Sequence, residues 1–163
     1  MPHEITSARI SLRQLAPDEA RALLEGRPDP ARPWARGYPT EGTFTAVEAF
    51  VRAASAGAEP SPYGVYQLVR LDDEAVIGDI GFFGPPSPTG VVTVGYGLAA
   101  SARGKGYATE ALRALTAWAL AQPGVRRIEA DTTHANVPSQ RVMERVGMRL
   151  VGQDDQLRYY ALP

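Results

Sequence analysis

Residues 91–110, Val-Val-Thr-Val-Gly-Tyr-Gly-Leu-Ala-Ala-Ser-Ala-Arg-Gly-Lys-Gly-Tyr-Ala-Thr-Glu, restrict the fold more than any other stretch of this 163-residue chain. Residues 91–98 are rich in β-branched and aromatic side chains and predict a strand. Ala108, Ala111, Leu112, Leu115 and Ala119 then recur at three- and four-residue spacing, which predicts a helix. Between the two lies Arg103-Gly104-Lys105-Gly106-Tyr107-Ala108. The first amides of a helix have no partner inside it, and the helix dipole makes that end electropositive. Glycines let an anion approach the backbone, and Arg103 and Lys105 add positive charge. The strand–loop–helix unit therefore predicts a cradle for a phosphate or pyrophosphate.

Two familiar phosphate loops do not fit. A P-loop requires Gly, four residues, then Gly-Lys-Ser/Thr; here Gly104-Lys105 is followed by Gly106, and position 99 is Ala. A dinucleotide fingerprint can be laid on residues 95–100, but a second glycine loop separates it from the helix. The acidic residue expected about twenty positions on is also missing over residues 114–121. The pattern Arg/Gln-x-x-Gly-x-Gly/Ala between a strand and a long helix fits, with Arg103, Gly106 and Ala108 at its fixed positions. A second segment, His134-Ala135-Asn136-Val137-Pro138-Ser139-Gln140-Arg141-Val142-Met143-Glu144-Arg145-Val146-Gly147-Met148, follows downstream. Together the two motifs resemble the GNAT superfamily of N-acetyltransferases, in particular its ribosomal-protein N-terminal acetyltransferase branch. Arg145 in place of Lys and Met148 in place of Phe are mild departures.

The rest of the chain suits that resemblance. A strand near residues 9–13 precedes a helix opened by Pro17, Asp18 and Glu19. Residues 26–45 are punctuated by Pro and Gly and carry Trp34, Tyr38 and Phe44; they read as a surface loop pinned by its aromatics or as a wall of a substrate pocket. Thr45 is placed to cap a helix over 46–56, with Val47, Phe50, Val51 and Ala54 as its apolar stripe. Strands over 63–71 and 75–83 form a hairpin. The strand over 126–133 puts Ile128, Ala130 and Thr132 on one face, and Glu129, Asp131 and Thr133 on the other. Pro138 begins a short helix with Val142 and Val146 inward, and two strands close the chain. The result is an α/β (α+β) layout in one domain, a mixed sheet of about six or seven strands with four helices. Its order is β-α-α-β-β-β-α-β-α-β-β.

Composition excludes several function classes. A net charge of −1 argues against a sequence-independent grip on nucleic acid. There is no cysteine, so no thiolate nucleophile or thiolate metal site, and His3 and His134 are far apart; no metal is expected. No run of eighteen apolar residues and no charged-then-apolar leader is present, which predicts a soluble cytoplasmic protein without a membrane partner.

The resemblance implies acetyl transfer from acetyl-coenzyme A to a primary amine, a protein N-terminus or a small molecule, without a covalent enzyme intermediate. It implies that the strand before the central helix and the strand after it splay apart, and that coenzyme A lies in the cleft. It places Leu98, Ala99, Arg103, Gly104, Lys105, Gly106, Tyr107, Ala108 and Thr109 around the cofactor. Asn136 holds the pantetheine arm, and Ser139 binds coenzyme A or protonates its sulfur. The residues alone also allow Asn136 as a turn or cap residue and Ser139 as a cap of its own helix. Homodimers are frequent in the family. Two catalytic positions depart from it: the Tyr expected four residues after Ser139 is Met143, and the Glu expected as base is Thr93. Asp131 is the substitute base if it faces the acceptor, with Glu129 and His134 as alternatives. These departures keep open a non-catalytic acyl-coenzyme A sensor or scaffold of the same fold.

Overall fold

The computed structural model describes residues 3–163. The order is β1 (Glu4–Thr6), β2 (Ile10–Gln14), α1 (Pro17–Leu24), α2 (Glu41–Ser55), β3 (Val65–Arg70), β4 (Val76–Phe82), β5 (Val91–Leu98), a 3-10 turn at Ala100–Ala102, α3 (Tyr107–Leu120), β6 (Arg127–Thr133), α4 (Val137–Arg145), β7 (Arg149–Gln153) and β8 (Leu157–Leu162). Eight strands form one sheet in the order β1-β2-β3-β4-β5-β6-β8-β7. The β5–β6 pair is parallel, and the other neighbours are antiparallel.

The helices divide between the two faces. Ala111, Leu112, Leu115 and Ala119 of α3 pack with Leu12, Leu68, Ile80, Val92, Val94, Ile128 and Met143 in the main core. On the opposite face Ala20 and Leu23 of α1 meet Val47 of α2 and Val65 of β3. Strand alternation serves both layers: Val92 and Val94 are buried toward α3, whereas Thr93, Gly95 and Gly97 look toward the α1–α2 side.

The expected elements occur, with three differences. First, β1 adds a strand at the sheet edge; a three-residue polar–apolar–polar segment has too little pattern to be read alone. Second, α2 starts at Glu41 rather than 46. Its cap is Thr40, not Thr45. Thr43 N–H donates to Thr40 Oγ1 at 3.3 Å, and Thr40 N–H donates to Thr43 Oγ1 at 3.1 Å. This reciprocal box overrides the Gly42 that made the segment read as loop. The helix buries Thr43 and Val47, while Phe50, Val51 and Ala54 remain half-buried. Third, Met143 is the fully buried side chain of α4, with Val142 and Val146 only partly covered.

The Pro-rich segment is docked on the sheet. Trp34 bridges Val76 at the start of β4, Tyr38 is buried with Val69, Val76 and Ala99, and Ser101 donates its hydroxyl to Arg36 O at 2.6 Å. It therefore runs beside the C-terminal end of β5 and delivers the chain to Thr40. Among the described residues no helix is long and apolar enough to cross a membrane.

Candidate active site

The parallel pairing of β5 with β6 is short. Val91, Val92 and Thr93 face Arg127, Ile128 and Glu129, and the register ends there. Residues 94–98 and 130–133 continue as strands without pairing to each other, so the sheet opens into a fork. This is the splay implied by the resemblance. Phe83 N–H donates to Thr93 O at 2.9 Å and Ala99 N–H donates to Ile77 O at 2.9 Å. Odd-numbered residues of β5 thus carry the ladder to β4. By alternation the N–H and C=O groups of Val94, Tyr96 and Leu98 point into the fork. Arg103 Nε takes the Leu98 carbonyl at 3.3 Å.

Beyond the fork lies the glycine loop. Gly104 and Gly106 have φ of 76° and 83°, the left-handed region that glycine occupies without a Cβ penalty. Gly106 is the N-cap of α3, and no side chain caps this end. The first helix bond is Glu110 N–H to Gly106 O at 3.1 Å, which leaves the amides of Tyr107, Ala108 and Thr109 as free donors in the first turn. Arg103 and Lys105 are exposed beside them, and Leu98 and Ala99 are buried at the strand end. These features fit a pyrophosphate: donors converge at a positive helix end, and no Cβ stands between.

The loop is braced by a residue that the motif does not contain. Arg9, in the β1–β2 turn, donates from Nε to Glu110 Oε1 at 2.7 Å and from Nη1 to Lys105 O at 2.9 Å. Its guanidinium lies 4.4 Å from the Tyr107 ring centroid. Glu110 also accepts the Ser7 hydroxyl at 2.5 Å and the Arg9 amide at 2.8 Å. Partial burial works against the Glu110 carboxylate, but the Ser7 and Arg9 hydrogen bonds and the Arg9 charge outweigh it and hold the group below the usual glutamate range. The clamp's contribution is therefore complete above the ordinary glutamate range and is lost as pH falls through the lowered folded value. Arg9→Ala is expected to weaken coenzyme A binding about fivefold to tenfold, the order for a charge-assisted hydrogen bond at a half-exposed site, as read by calorimetric titration.

On the α3–α4 side of the fork, Asn136 is the N-cap of α4 and accepts the Ser139 amide at 3.3 Å. The cap role read for Asn136 is therefore present. Ser139 does not cap its helix with its hydroxyl. That hydroxyl meets Tyr96 Oη at 2.7 Å, and Tyr96 Oη also donates to Ser139 O at 3.2 Å. Tyr96 is not among the expected site residues; only the position of α4 gives its partner. Burial raises the Tyr96 hydroxyl above its ordinary range, partly offset by Ser139. It remains protonated at neutral pH and can donate.

On the other face, at the root of the fork, a recess of about 270 Å³ is lined by Thr93, Glu129, Ala130, Asp131, Tyr159 and Tyr160. Asp131 thus faces away from α3 and is exposed. Glu129 is paired with Arg127 at 2.9 Å. His134 is not a free loop residue: its ring meets Asp154 O at 2.7 Å and Arg158 Nε at 3.3 Å, so it ties the β6–α4 corner to the last hairpin. Among the described residues no group of three or more His, Cys, Asp or Glu is gathered for a metal ion.

The model of the acetyltransferase (GNAT) domain matches residues 9–149, a span that holds the fork, the glycine loop and the uncapped helix. The chain belongs to the GNAT acetyltransferase family. It is 30% identical over 154 residues to the uncharacterized N-acetyltransferase YnaD of Bacillus subtilis (strain 168), covering 91% of this chain and 84% of that protein. It is 28% identical over 123 residues to YjdG of the same organism, also an uncharacterized N-acetyltransferase, covering 76% and 73%. Among solved structures, RimL, a ribosomal L7/L12 alpha-N-protein acetyltransferase in complex with coenzyme A, superposes with a TM-score of 0.69 at 19% identity, covering 98% of this chain and 97% of that one. The ribosomal-protein-S5-alanine acetyltransferase of Vibrio fischeri gives a TM-score of 0.69 at 15% identity, covering 98% and 96%. These two likenesses carry the GNAT fold.

Proposed function

We propose that this GNAT member is an acetyl-coenzyme A-dependent N-acetyltransferase that acts on a primary amine by direct attack. The observation that carries the reading is the continuity of three parts: the uncapped glycine cradle at α3, the open amide edge of β5, and the Tyr96–Ser139 hydroxyl pair across the fork. The cradle, with Arg103, Gly104, Lys105, Gly106, Tyr107, Ala108 and Thr109, takes the pyrophosphate of coenzyme A. Leu98 and Ala99 border the pantetheine arm, and Asn136 flanks it from the α4 end. Acetyl-coenzyme A would supply the activated acyl group when bound.

The chain's own groups then divide by face. The β5 amides that open into the fork, that of Tyr96 among them, are placed to polarise a thioester carbonyl. Ser139, hydrogen-bonded to Tyr96, lies on the sulfur side and supplies a proton to the departing thiolate. The acceptor amine arrives from the α1–α2 face, where Asp131 lines the recess. The known transferases RimL and the S5-alanine enzyme act on ribosomal proteins by name, which makes a protein N-terminus one acceptor class to test. A small-molecule amine is the other.

The test is calorimetric titration with acetyl-coenzyme A, coenzyme A and an adenine-only analogue, followed by thiol release with a panel of amines. Micromolar binding that needs the pyrophosphate, followed by turnover, is expected. Binding without turnover across the panel would instead make the chain an acyl-coenzyme A sensor. Absence of binding in a folded sample would remove the whole reading.

A further inference from the structure

One buried carboxylate lies outside the groups assigned above. Asp79 of β4 is 6% exposed and sits directly across from Gly97 of β5. On this face the row across the sheet runs Gln67, Asp79, Gly97 and then the fork. Gly97 presents no side chain, and a Cβ there would meet only Thr40 Oγ1, at 3.8 Å. Thr40 Oγ1 is 3.2 Å from Thr43 Oγ1, and Thr43 Oγ1 donates to Asp79 Oδ2 at 2.5 Å. Thr40 is half-buried, whereas Thr43 is fully buried. The result is a chain of hydroxyls that starts at the glycine-lined wall of the fork and ends on a carboxylate.

Among the described residues no cation pairs with that carboxylate. The groups that face it are Thr43 from α2, Gln67 from β3 and Tyr38 from the Pro-rich segment. Arg32 donates to Gln67 Oε1 at 3.3 Å and pairs with Asp29 at 4.0 Å, not with Asp79. Tyr38 Oη is buried without a partner at hydrogen-bond geometry among the described residues. Burial, followed by the nearby Asp79 charge, pushes the Tyr38 hydroxyl up. Burial likewise raises Asp79, with Thr43 and Tyr38 opposing. A buried carboxylate that costs stability and is wired to the reaction cleft is a hallmark of a working group rather than a packing one.

Building on the transferase reading, we propose that Asp79 is the proton acceptor for the incoming amine, reached through Thr43 and Thr40. The acceptor ammonium gives a proton to Thr40 Oγ1, Thr40 passes its own to Thr43 Oγ1, and Thr43 passes its own to Asp79 Oδ2. The neutral amine then forms the N–C bond at the thioester carbonyl. As the C–S bond breaks, the second amine proton balances the thiolate through Ser139, and Asp79 returns its proton to solvent by the same hydroxyls. This supplies the base that Thr93 cannot. Asp131 then lines the acceptor recess without accepting the proton.

The test uses the full chain with acetyl-coenzyme A and two amine probes in slightly acidic buffer. Glycinamide is mainly cationic there, and methoxyamine is neutral. Asp79→Asn and Thr43→Val are expected to lose about tenfold to a hundredfold in kcat/KM with glycinamide. The defect should shrink with methoxyamine, Thr43→Ser should recover most of the loss, and coenzyme A affinity should hold throughout. The melting curve supplies a second readout. Because the folded pKa of Asp79 is raised, its stabilising contribution is complete below the ordinary aspartate range and is lost as pH rises through the folded value. Asp79→Asn should therefore melt higher than wild type at neutral pH and lose that advantage in acid. Equal loss with both amines, or wild-type kinetics in Asp79→Asn, would overturn the assignment. If wild type turns over neither amine, the transferase reading fails. Carboxyl 13C NMR of the coenzyme A-loaded protein then decides for Asp79: a resonance that moves on adding glycinamide supports the relay, and one that does not move overturns it.

Discussion

Gly106→Glu is expected to abolish coenzyme A binding, with Kd raised more than about a hundredfold, or roughly 3 kcal/mol. Three effects act together. The residue sits at φ 83°, where a side chain costs about 1 kcal/mol or more. Its Cβ would stand 3.3 Å from Arg9 Nη2, so the new carboxylate would draw the guanidinium off Lys105 O and disturb the clamp. The negative charge would also sit among the free amides of α3, the donors assigned to the pyrophosphate. Gly106→Ala separates the first effect from the last. It should lose only part of the affinity, since it adds a methyl group and no charge. Gly104→Ala is a further control, because nothing lies within 4 Å of a Cβ there; it should pay only for the left-handed backbone. Titration calorimetry, with a melting curve to show that each variant folds, measures all three. Wild-type affinity in folded Gly106→Glu would move the cofactor site away from this loop.

What was legible in the sequence was local. The strand–loop–helix unit of residues 91–110 carries its own explanation, because period, glycine placement and helix-end electrostatics act over a few residues. The two faces of β6 followed from alternation: Ile128, Ala130 and Thr132 are buried, and Asp131 and Thr133 are exposed. Less legible were features set by partners distant in the chain. Arg9 and Glu110 are separated by 101 positions, and nothing in the spacing of either announces the other. Tyr96 and Ser139 lie 43 positions apart. Thr43 and Asp79 lie 36 apart, and Asp79 sits inside an apolar strand where its carboxyl reads as a blemish. The start of α2 failed for a different reason. Gly42 and Pro39 read as breakers, although Thr40 and Thr43 form a capping box whose second member is Thr rather than the usual Glu or Gln. The fold and the proposed cofactor loop are therefore written in short-range pattern, and the proposed proton chemistry depends on the tertiary fold.

Tyr96→Phe and Ser139→Ala test that chemistry on the sulfur side. Position 143 holds Met, and its side chain is 2% exposed in the core beneath α4, so an acid there would be sealed from the fork. The Tyr96 hydroxyl instead comes from β5 and meets Ser139 Oγ at 2.7 Å. In the proposed mechanism Ser139 protonates the thiolate and takes up the second amine proton, and Tyr96 holds the serine hydroxyl in place. Removing Ser139 should cut turnover by about one to two orders of magnitude, as loss of a general acid does, with little change in coenzyme A affinity. Removing the Tyr96 hydroxyl should cost less, about tenfold, because the serine remains. The double variant should be hardly worse than Ser139→Ala, since two groups acting through one proton path do not add. The pH profile gives a further readout. Burial keeps the Tyr96 hydroxyl protonated well past neutrality, so an alkaline loss of activity due to Tyr96 should be absent in Tyr96→Phe. Additive losses in the double variant would separate the two hydroxyls. Wild-type turnover in Ser139→Ala would leave Asn136 capping a serine with no part in the reaction, and the leaving thiolate would then depart unprotonated.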